Sequence, residues 1–391
     1  MPARKALRTA VLLLAALPAF AADAPLDRFM REVMRRFDLP GGQIALARDG
    51  RFVFSRAYGF ADTRRRIRVR SSSLFRIGSV SKTVTQVAIL TLVDAGKLRL
   101  SDRAFVLLDH LKPPPGASPD PRLHDITVLH LLQHQAGWDS IEPMFPPWSR
   151  KAAAALNVPE PPECETIVRF MRGRPLDYTP GTRTSYSNFG YCVLGRIVEH
   201  VSGVSYEEYV KNNVLRPAGI GSMRIGGTRL RERAPREVLY YHQLNQTELP
   251  YMTESVFPGE GMTPWAYGGY YLRATDAHGG WIGSAEDIAR FGLAIDGRWG
   301  PPLLSSAGRH VLMNLPRKQG EEYPLDTPFH VSHAGALQGS NSALLYRTRE
   351  GLSVGITFNS LPVDYRGFFA ALMEGLDAAL ASVHAVSSAR R

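Results

Sequence analysis

Cysteine is nearly absent. Cys164 and Cys192 are the only two in 391 residues. Two such distant cysteines cannot supply a cysteine metal motif. They can form at most one disulfide, and the sequence leaves open whether they pair or stay as buried thiols. Long apolar runs are missing too. The run from Ala10 to Leu17 is too short to cross a bilayer, and no later segment is longer and as apolar. Acidic residues fall short of basic ones, 36 against 47, for a formal net charge of +11. A basic surface suits solvation or attraction to anionic envelope polymers. The densest basic run, TRRRIRVR at 63 to 70, alternates like a strand and does not build a nucleic-acid patch. There is no internal repeat.

What is present belongs to a folded chain. Hydrophobic residues make up 44% and charged residues 21%, with 17 Phe, 15 Tyr and 5 Trp, enough to bury a sizeable core. The length predicts two domains or one large two-part unit. The start, MPARKALRTAVLLLAALPAFAADAP, reads as an export signal. Arg4, Lys5 and Arg8 precede the apolar run, and Ala19-Phe20-Ala21 has the small-x-small form of a cleavage site. Residues 1 to 21 are therefore expected to be removed, leaving a periplasmic or secreted protein. No lipid-modifiable cysteine follows the run, so no membrane anchor beyond the cleaved signal is expected.

Helical spacing marks residues 26 to 37. GGQIALARDGRFVFSRAYG, 41 to 59, predicts a hairpin turning at Asp49-Gly50. A long helix, apolar nearly all round and so central, is predicted from about Ser79 to Asp94. Further helices are expected within 126 to 138, capped by Thr127, and at about 189 to 202. A third, at 284 to 295, has Ser284 at the cap and Asp287 at the third position. SNSALLYRTREGLSVGITFN, 340 to 359, predicts a second hairpin turning near Glu350-Gly351, and an amphipathic helix ends the chain. Strands thus lie at both ends with helices between. The pattern predicts an α/β fold of the α+β type: an antiparallel sheet from both chain ends, flanked by helices, with a mostly helical inserted subdomain. One catalytic unit is expected over 22 to 391. Its sheet part comprises 22 to 78 and about 275 to 385, its helical part about 79 to 274, and 386 to 391 form a tail.

Three short motifs can do chemistry. In FRIGSVSKTVTQ, Ser79 and Lys82 are three apart and share a helix face. A serine at a helix start sits where free N–H groups favour developing negative charge, and a lysine on the same face can relay its proton. In PGTRTSYSNFGY, Tyr186 and Asn188 stand before a helix. A phenol works as a base when nearby cations depress its pKa, and an asparagine amide can donate to a substrate carbonyl. In HVSHAGALQGSNSALLY, His333, Ala334 and Gly335 fall on a predicted strand, where glycine lets a substrate approach the backbone. The N–H groups of Ser79 and Ala336 could then form an oxyanion hole.

Each motif alone is weak. In this order they resemble the penicillin-recognising serine hydrolases, in the branch of class C β-lactamases, DD-peptidases, D-aminopeptidases and related esterases. ITVLHLLQHQAGW, YTPGTRTSYSNFGYCVLGRIVEHVSG and GGWIGSAEDIARF are similar to segments of that branch, so the likeness spans nearly the whole mature chain. The resemblance implies Ser79 as acylated nucleophile and Lys82 with Tyr186 as proton relay. It further implies Asn188, His333, Ala334 and Gly335 as substrate-binding residues, and the Ser79 and Ala336 N–H groups as oxyanion hole. It implies neither cofactor nor metal. His333 replaces the lysine of the β-lactamases and Ala334 the threonine of many members, which argues against potent β-lactamase activity.

Decoys are present. GLSVG at 351 to 355 has the form of a nucleophile elbow, but Ser353 lies inside a predicted strand. His130 and His134 have i, i+4 zinc spacing without the accompanying glutamate. Trp265, Tyr267, Tyr270, Tyr271 and Trp281 could line an acyl pocket or simply pack. The expectation is a serine hydrolase acting through an acyl-enzyme on ester or D-amino-acid-type amide substrates. Small esters or peptides are the expected partners, with peptidoglycan a candidate and nucleic acid excluded. The alternatives are a β-lactamase or penicillin-binding DD-peptidase and, in another class, a non-catalytic peptidoglycan-binding envelope protein.

Overall fold

The structure is a computed structural model that describes residues 24–139, 142–242, 251–315, 330–347 and 350–388. The export signal expected over residues 1 to 21 lies outside the described residues. Six strands form the main sheet: β1 (Gly41–Arg48), β2 (Arg51–Asp62), β3 (Ile67–Arg68), β4 (His330–Leu337), β5 (Ser340–Arg347) and β6 (Leu352–Phe358). Their order is β4-β5-β6-β1-β2-β3, and the pairs are antiparallel. The chain ends meet where β1 pairs with β6, with Ile44 opposite Ile356. Both predicted hairpins are there. Asp49 (φ 48°) and Gly50 (φ 75°) turn the first through the left-handed region, as two-residue hairpin loops prefer.

Both faces of β1 are buried. Ile44 and Leu46 join Leu345, Val354 and Ile356 against the N-terminal helix Ala24–Arg36 and the C-terminal helix Tyr365–Ser388. That last helix runs into residues 386 to 388, where a tail was expected. Ala45 and Ala47 face the other way, toward the helix Ala285–Ala294. Small residues are needed here because that helix lies close. A Cβ on Gly355 would sit 2.1 Å from the carbonyl oxygen of Ala285. The helix starts as its sequence predicts. Ser284 Oγ accepts from the N–H of Asp287 at 3.1 Å, and the Asp287 carboxylate accepts from the N–H of Ser284 at 2.9 Å.

The inserted part centres on the helix Ser81–Asp94, where Val84, Val87, Ala88 and Leu92 are buried among neighbouring helices. It begins two residues later than predicted. Gly78 has φ 50°, and Gly78–Val80 form a 3-10 turn that leads into the helix, so Ser79 belongs to the turn. The helix Asn188–Ser202 packs alongside, and a Cys164–Cys192 disulfide joins it to the helix Cys164–Arg172. The question the sequence left open is thereby answered in favour of pairing.

Gly355 offers a test of this layering. Gly355→Ala should lower stability by roughly 1–3 kcal/mol, the usual cost of overpacking, read as a lower urea midpoint at unchanged slope. An unchanged midpoint would mean that the Ala285 helix is not seated on β6 as described.

Candidate active site

The strand Phe75–Arg76 holds the Ser79 turn from behind. It pairs with Trp281–Gly283, which in turn pairs with Arg224–Ile225. The buried Arg76 guanidinium donates to the carbonyl oxygens of Ala266, Gly227 and Thr228 at 2.5, 2.9 and 3.2 Å, and to the Tyr270 hydroxyl at 3.1 Å. In front, the turn rests on β4. A Cβ on Gly335 would lie 2.0 Å from the Ile77 carbonyl oxygen, and one on Gly78 would lie 2.9 Å from the Ala336 nitrogen. Gly335 therefore makes room for the protein's own turn, where the sequence suggested room for a substrate. Ser342 Oγ completes the joint by donating to the Ile77 carbonyl at 2.5 Å.

The predicted residues converge. Lys82 is fully buried. Its ammonium donates to Asn188 Oδ1 at 2.6 Å, to the His278 carbonyl at 3.1 Å and to Ser79 Oγ at 3.2 Å. The Tyr186 hydroxyl donates to the same Ser79 Oγ at 2.9 Å. His333 Nδ1 is 3.4 Å from Thr83 Oγ1 on the central helix. Ser79, Asn188, His333, Ala334 and Ala336 all line one cleft between the sheet edge and the helical part.

Electrostatics change one expectation. Burial pushes the Tyr186 phenol above its ordinary value, although the hydrogen bond to Ser79 pulls the other way. The phenol is thus a proton donor in the free protein, and not a cation-depressed base. Burial and the Lys82 charge hold His278 well below the usual histidine range and bring His134 down to about 3.

His134 is not paired with His130 for zinc. It lies past the short helix Val128–Leu132, at φ 57°, and its Nδ1 accepts from the Ser187 N–H at 3.0 Å. Its ring packs 4.7 Å from that of Tyr186. It therefore fixes the Tyr186-Ser187-Asn188 segment, while Ser187 caps the next helix by accepting from Gly190 N–H at 3.0 Å. His130 closes a capping box with Thr127. Ser353 is fully buried in β6. The five aromatics do not line the cleft. Tyr270 binds Arg76, Trp281 donates to the Tyr206 hydroxyl at 3.1 Å, and Tyr271 donates to Glu163 at 2.9 Å. Trp265 packs against Tyr251, and the Tyr267 hydroxyl accepts from the Tyr240 N–H at 2.8 Å.

Among the cleft-wall residues that sequence reasoning missed are Thr83, Glu142 and His278. Glu142 stands in a proline-rich stretch without periodicity, and the carbonyl that serves Lys82 is main chain, which no side-chain motif reveals. Both Glu142 carboxylate oxygens lie 2.8 Å from Asn188 Nδ2. Burial pushes this carboxyl above its ordinary value, while the Asn188 hydrogen bond and the Lys82 charge oppose the shift.

The description of one protein family, Beta-lactamase, matches residues 26–370. The chain belongs to the Beta-lactamase family. Among curated relatives it is 26% identical to Protein flp of Staphylococcus aureus over 192 residues, 49% of this chain and 36% of that one. The chain thus spans only about a third of that relative's length. The fold is similar to that of the D-amino acid amidase of Ochrobactrum anthropi, with a TM-score of 0.68, 20% identity, and 95% and 99% of the two chains covered. It is also similar to EstCE1, a hydrolase with promiscuous acyltransferase activity, with a TM-score of 0.63, 18% identity, and 90% and 99% covered.

The neutral state of His134 sets a pH dependence. Unfolding returns it to a histidine pKa of about 6.5, so the unfolded chain takes up a proton that the folded one refuses. Its contribution is complete above about 6.5 and is lost as pH falls toward about 3. The loss should approach about 1.4 kcal/mol per pH unit for this group. His134→Asn should flatten the urea midpoint against pH over that window relative to wild type. Parallel curves would mean that His134 is not buried as the neutral form.

Proposed function

We propose that this family member is a serine hydrolase working through an acyl-enzyme on ester or D-amino-acid-type amide substrates. The observation that carries the reading is the convergence of Lys82 Nζ, at 3.2 Å, and Tyr186 Oη, at 2.9 Å, on one partly exposed serine oxygen. Family membership and the amidase and esterase among similar folds support it. Lys82 first gives an ammonium proton up to solvent, and its amine then takes the Ser79 proton as Oγ attacks the carbonyl carbon. Tyr186 is the poorer acceptor, because burial holds its phenol protonated. The oxyanion lies between the N–H groups of Ser79 and Ala336. As the tetrahedral adduct collapses, Tyr186 gives its proton to the leaving group and regains one from Lys82. Water then attacks the ester, and the same groups return the protons. The chain carries out this reaction after export, in the periplasm or outside the cell.

Ala334 brings no hydroxyl to β4, and His333 stands beside Thr83 where a lysine would offer a fixed charge. Activated short esters should therefore be cleared with a higher kcat/KM than any cephalosporin. A fluorophosphonate should label Ser79, and Ser79→Ala should abolish both labelling and turnover. Lys82→Ala should lower acylation by roughly a hundredfold or more. Tyr186→Phe should slow amides more than p-nitrophenyl esters, whose leaving group needs no proton. Labelling mapped to another serine would remove the assignment, and preferred cephalosporin turnover would replace the substrate class.

A further inference from the structure

The way the Asn188 amide faces is decided from outside the three reacting groups. An ionised carboxylate only accepts hydrogen bonds. Both Glu142 oxygens lie 2.8 Å from Asn188 Nδ2, so the amide shows Glu142 its nitrogen. Its oxygen then faces Lys82, where Oδ1 accepts from Nζ at 2.6 Å. Glu142 has no part in the reaction derived above, yet it fixes which atom of Asn188 the base meets. Its charge reaches the same cluster. Burial raises the Glu142 carboxyl, while the Asn188 hydrogen bond and the Lys82 charge hold it down, so the two ions sense each other across the amide. Burial and, behind it, the Glu142 charge keep the Tyr186 phenol protonated.

The direction of the Lys82 lone pair follows. An ammonium has three N–H donors. Three acceptors face this one: Asn188 Oδ1, the His278 carbonyl at 3.1 Å and Ser79 Oγ at 3.2 Å. After one proton is lost, two donors remain. The amide oxygen and the main-chain oxygen can only accept, so they take those two donors. The lone pair is left for Ser79 Oγ, whose proton it receives. An Asn188 amide turned over would point Nδ2 at Lys82. It would repel the ammonium, and it would donate to the neutral amine and occupy the lone pair that Ser79 needs.

We propose that Glu142 is a positioning residue that turns the oxygen of Asn188 to Lys82 and so keeps the amine lone pair aimed at Ser79 Oγ. The inference rests on the hydrolase reading for the reaction that uses this lone pair, but serine labelling tests it without a substrate. The rate at which a fluorophosphonate labels Ser79 is measured as a function of pH in wild type, Glu142→Gln, Glu142→Ala and Glu142→Asp, with circular dichroism to show which variants are folded. Fluoride leaves without a proton, so the rate reads the activation of Ser79 and not proton donation by Tyr186. Glu142→Gln, whose amide can donate to Asn188 and turn it over, should label about 10- to 100-fold more slowly on the alkaline plateau, the span of a hydrogen bond to a charged group. Glu142→Ala, which leaves the amide unheld, should fall between that rate and wild type. In both, the midpoint of the acid limb should move to lower pH, because a negative charge that favours the Lys82 ammonium is gone. Glu142→Asp, also an acceptor only, should stay near the wild-type midpoint. Wild-type rates in a folded Glu142→Gln or Glu142→Ala, or slow labelling at an unshifted midpoint, would overturn the proposal and leave Glu142 as general support for its loop. Slow labelling with the shifted midpoint, but no hydrolysis of any acyl donor by wild type, would uphold the positioning and overturn the hydrolase reading. Ser79-dependent hydrolysis with wild-type labelling in the folded variants would do the reverse.

Discussion

A wholly buried ammonium organises this molecule. Lys82 lies in the central helix with no exposed surface. An unpaired charge in such a place costs several kcal/mol, so its acceptors are structural requirements. They come from three parts of the chain: Ser79 from the turn before its own helix, Asn188 from the first turn of the Asn188–Ser202 helix, and the His278 carbonyl from the segment before Trp281. Satisfying one side chain draws together segments about 200 residues apart. The flanking histidines remain neutral for the same reason, since each lies in an apolar setting beside that charge.

The Ser79 turn is fixed by contacts that do not involve the Lys82 or Tyr186 side chains. Behind it, Arg76 gathers carbonyls from the 227–266 region and stacks 4.4 Å over the Tyr240 ring. In front, the absent side chain of Gly335 admits the Ile77 carbonyl. Ser79 is thereby held between a three-stranded sheet and the edge of a six-stranded one, and both sheets include residues far along the chain. Its partly exposed oxygen can face the cleft while the flanking Gly78 and Val80 are buried. A rigid support of this kind lets two donors meet one oxygen without reorganisation when a substrate arrives.

What could be read from the sequence divides along physical lines. Local signals were legible because their cause is local. The Asp49-Gly50 turn and the Ser284–Asp287 capping box each follow from a few adjacent residues. Ser79, Lys82, Tyr186 and Asn188 were legible as short motifs, and the fold brings them together. Features decided by contacts distant in sequence were not legible. The helix boundary moved because Gly78 turns into a 3-10 start, and the service of Gly335 to Ile77 spans more than 250 residues. The aromatics of 265 to 281 looked like a pocket because nothing local announces a buried arginine in need of walls. Tyr186 looked like a base because the burial that raises its phenol is a tertiary property.

Glu142 and β4 belong to one argument about selectivity. On one wall, the Glu142 carboxylate takes up the Asn188 amide nitrogen at 2.8 Å. On β4, His333 lies against Thr83, and Ala334 contributes only a methyl group. A ligand with a carboxylate on the β4 side meets no fixed lysine charge there. The Ser79, Lys82 and Tyr186 cluster opens on a cleft lined by the Glu142 carboxylate and by the uncharged Ala334 of β4, which under the hydrolase reading is where selectivity would arise.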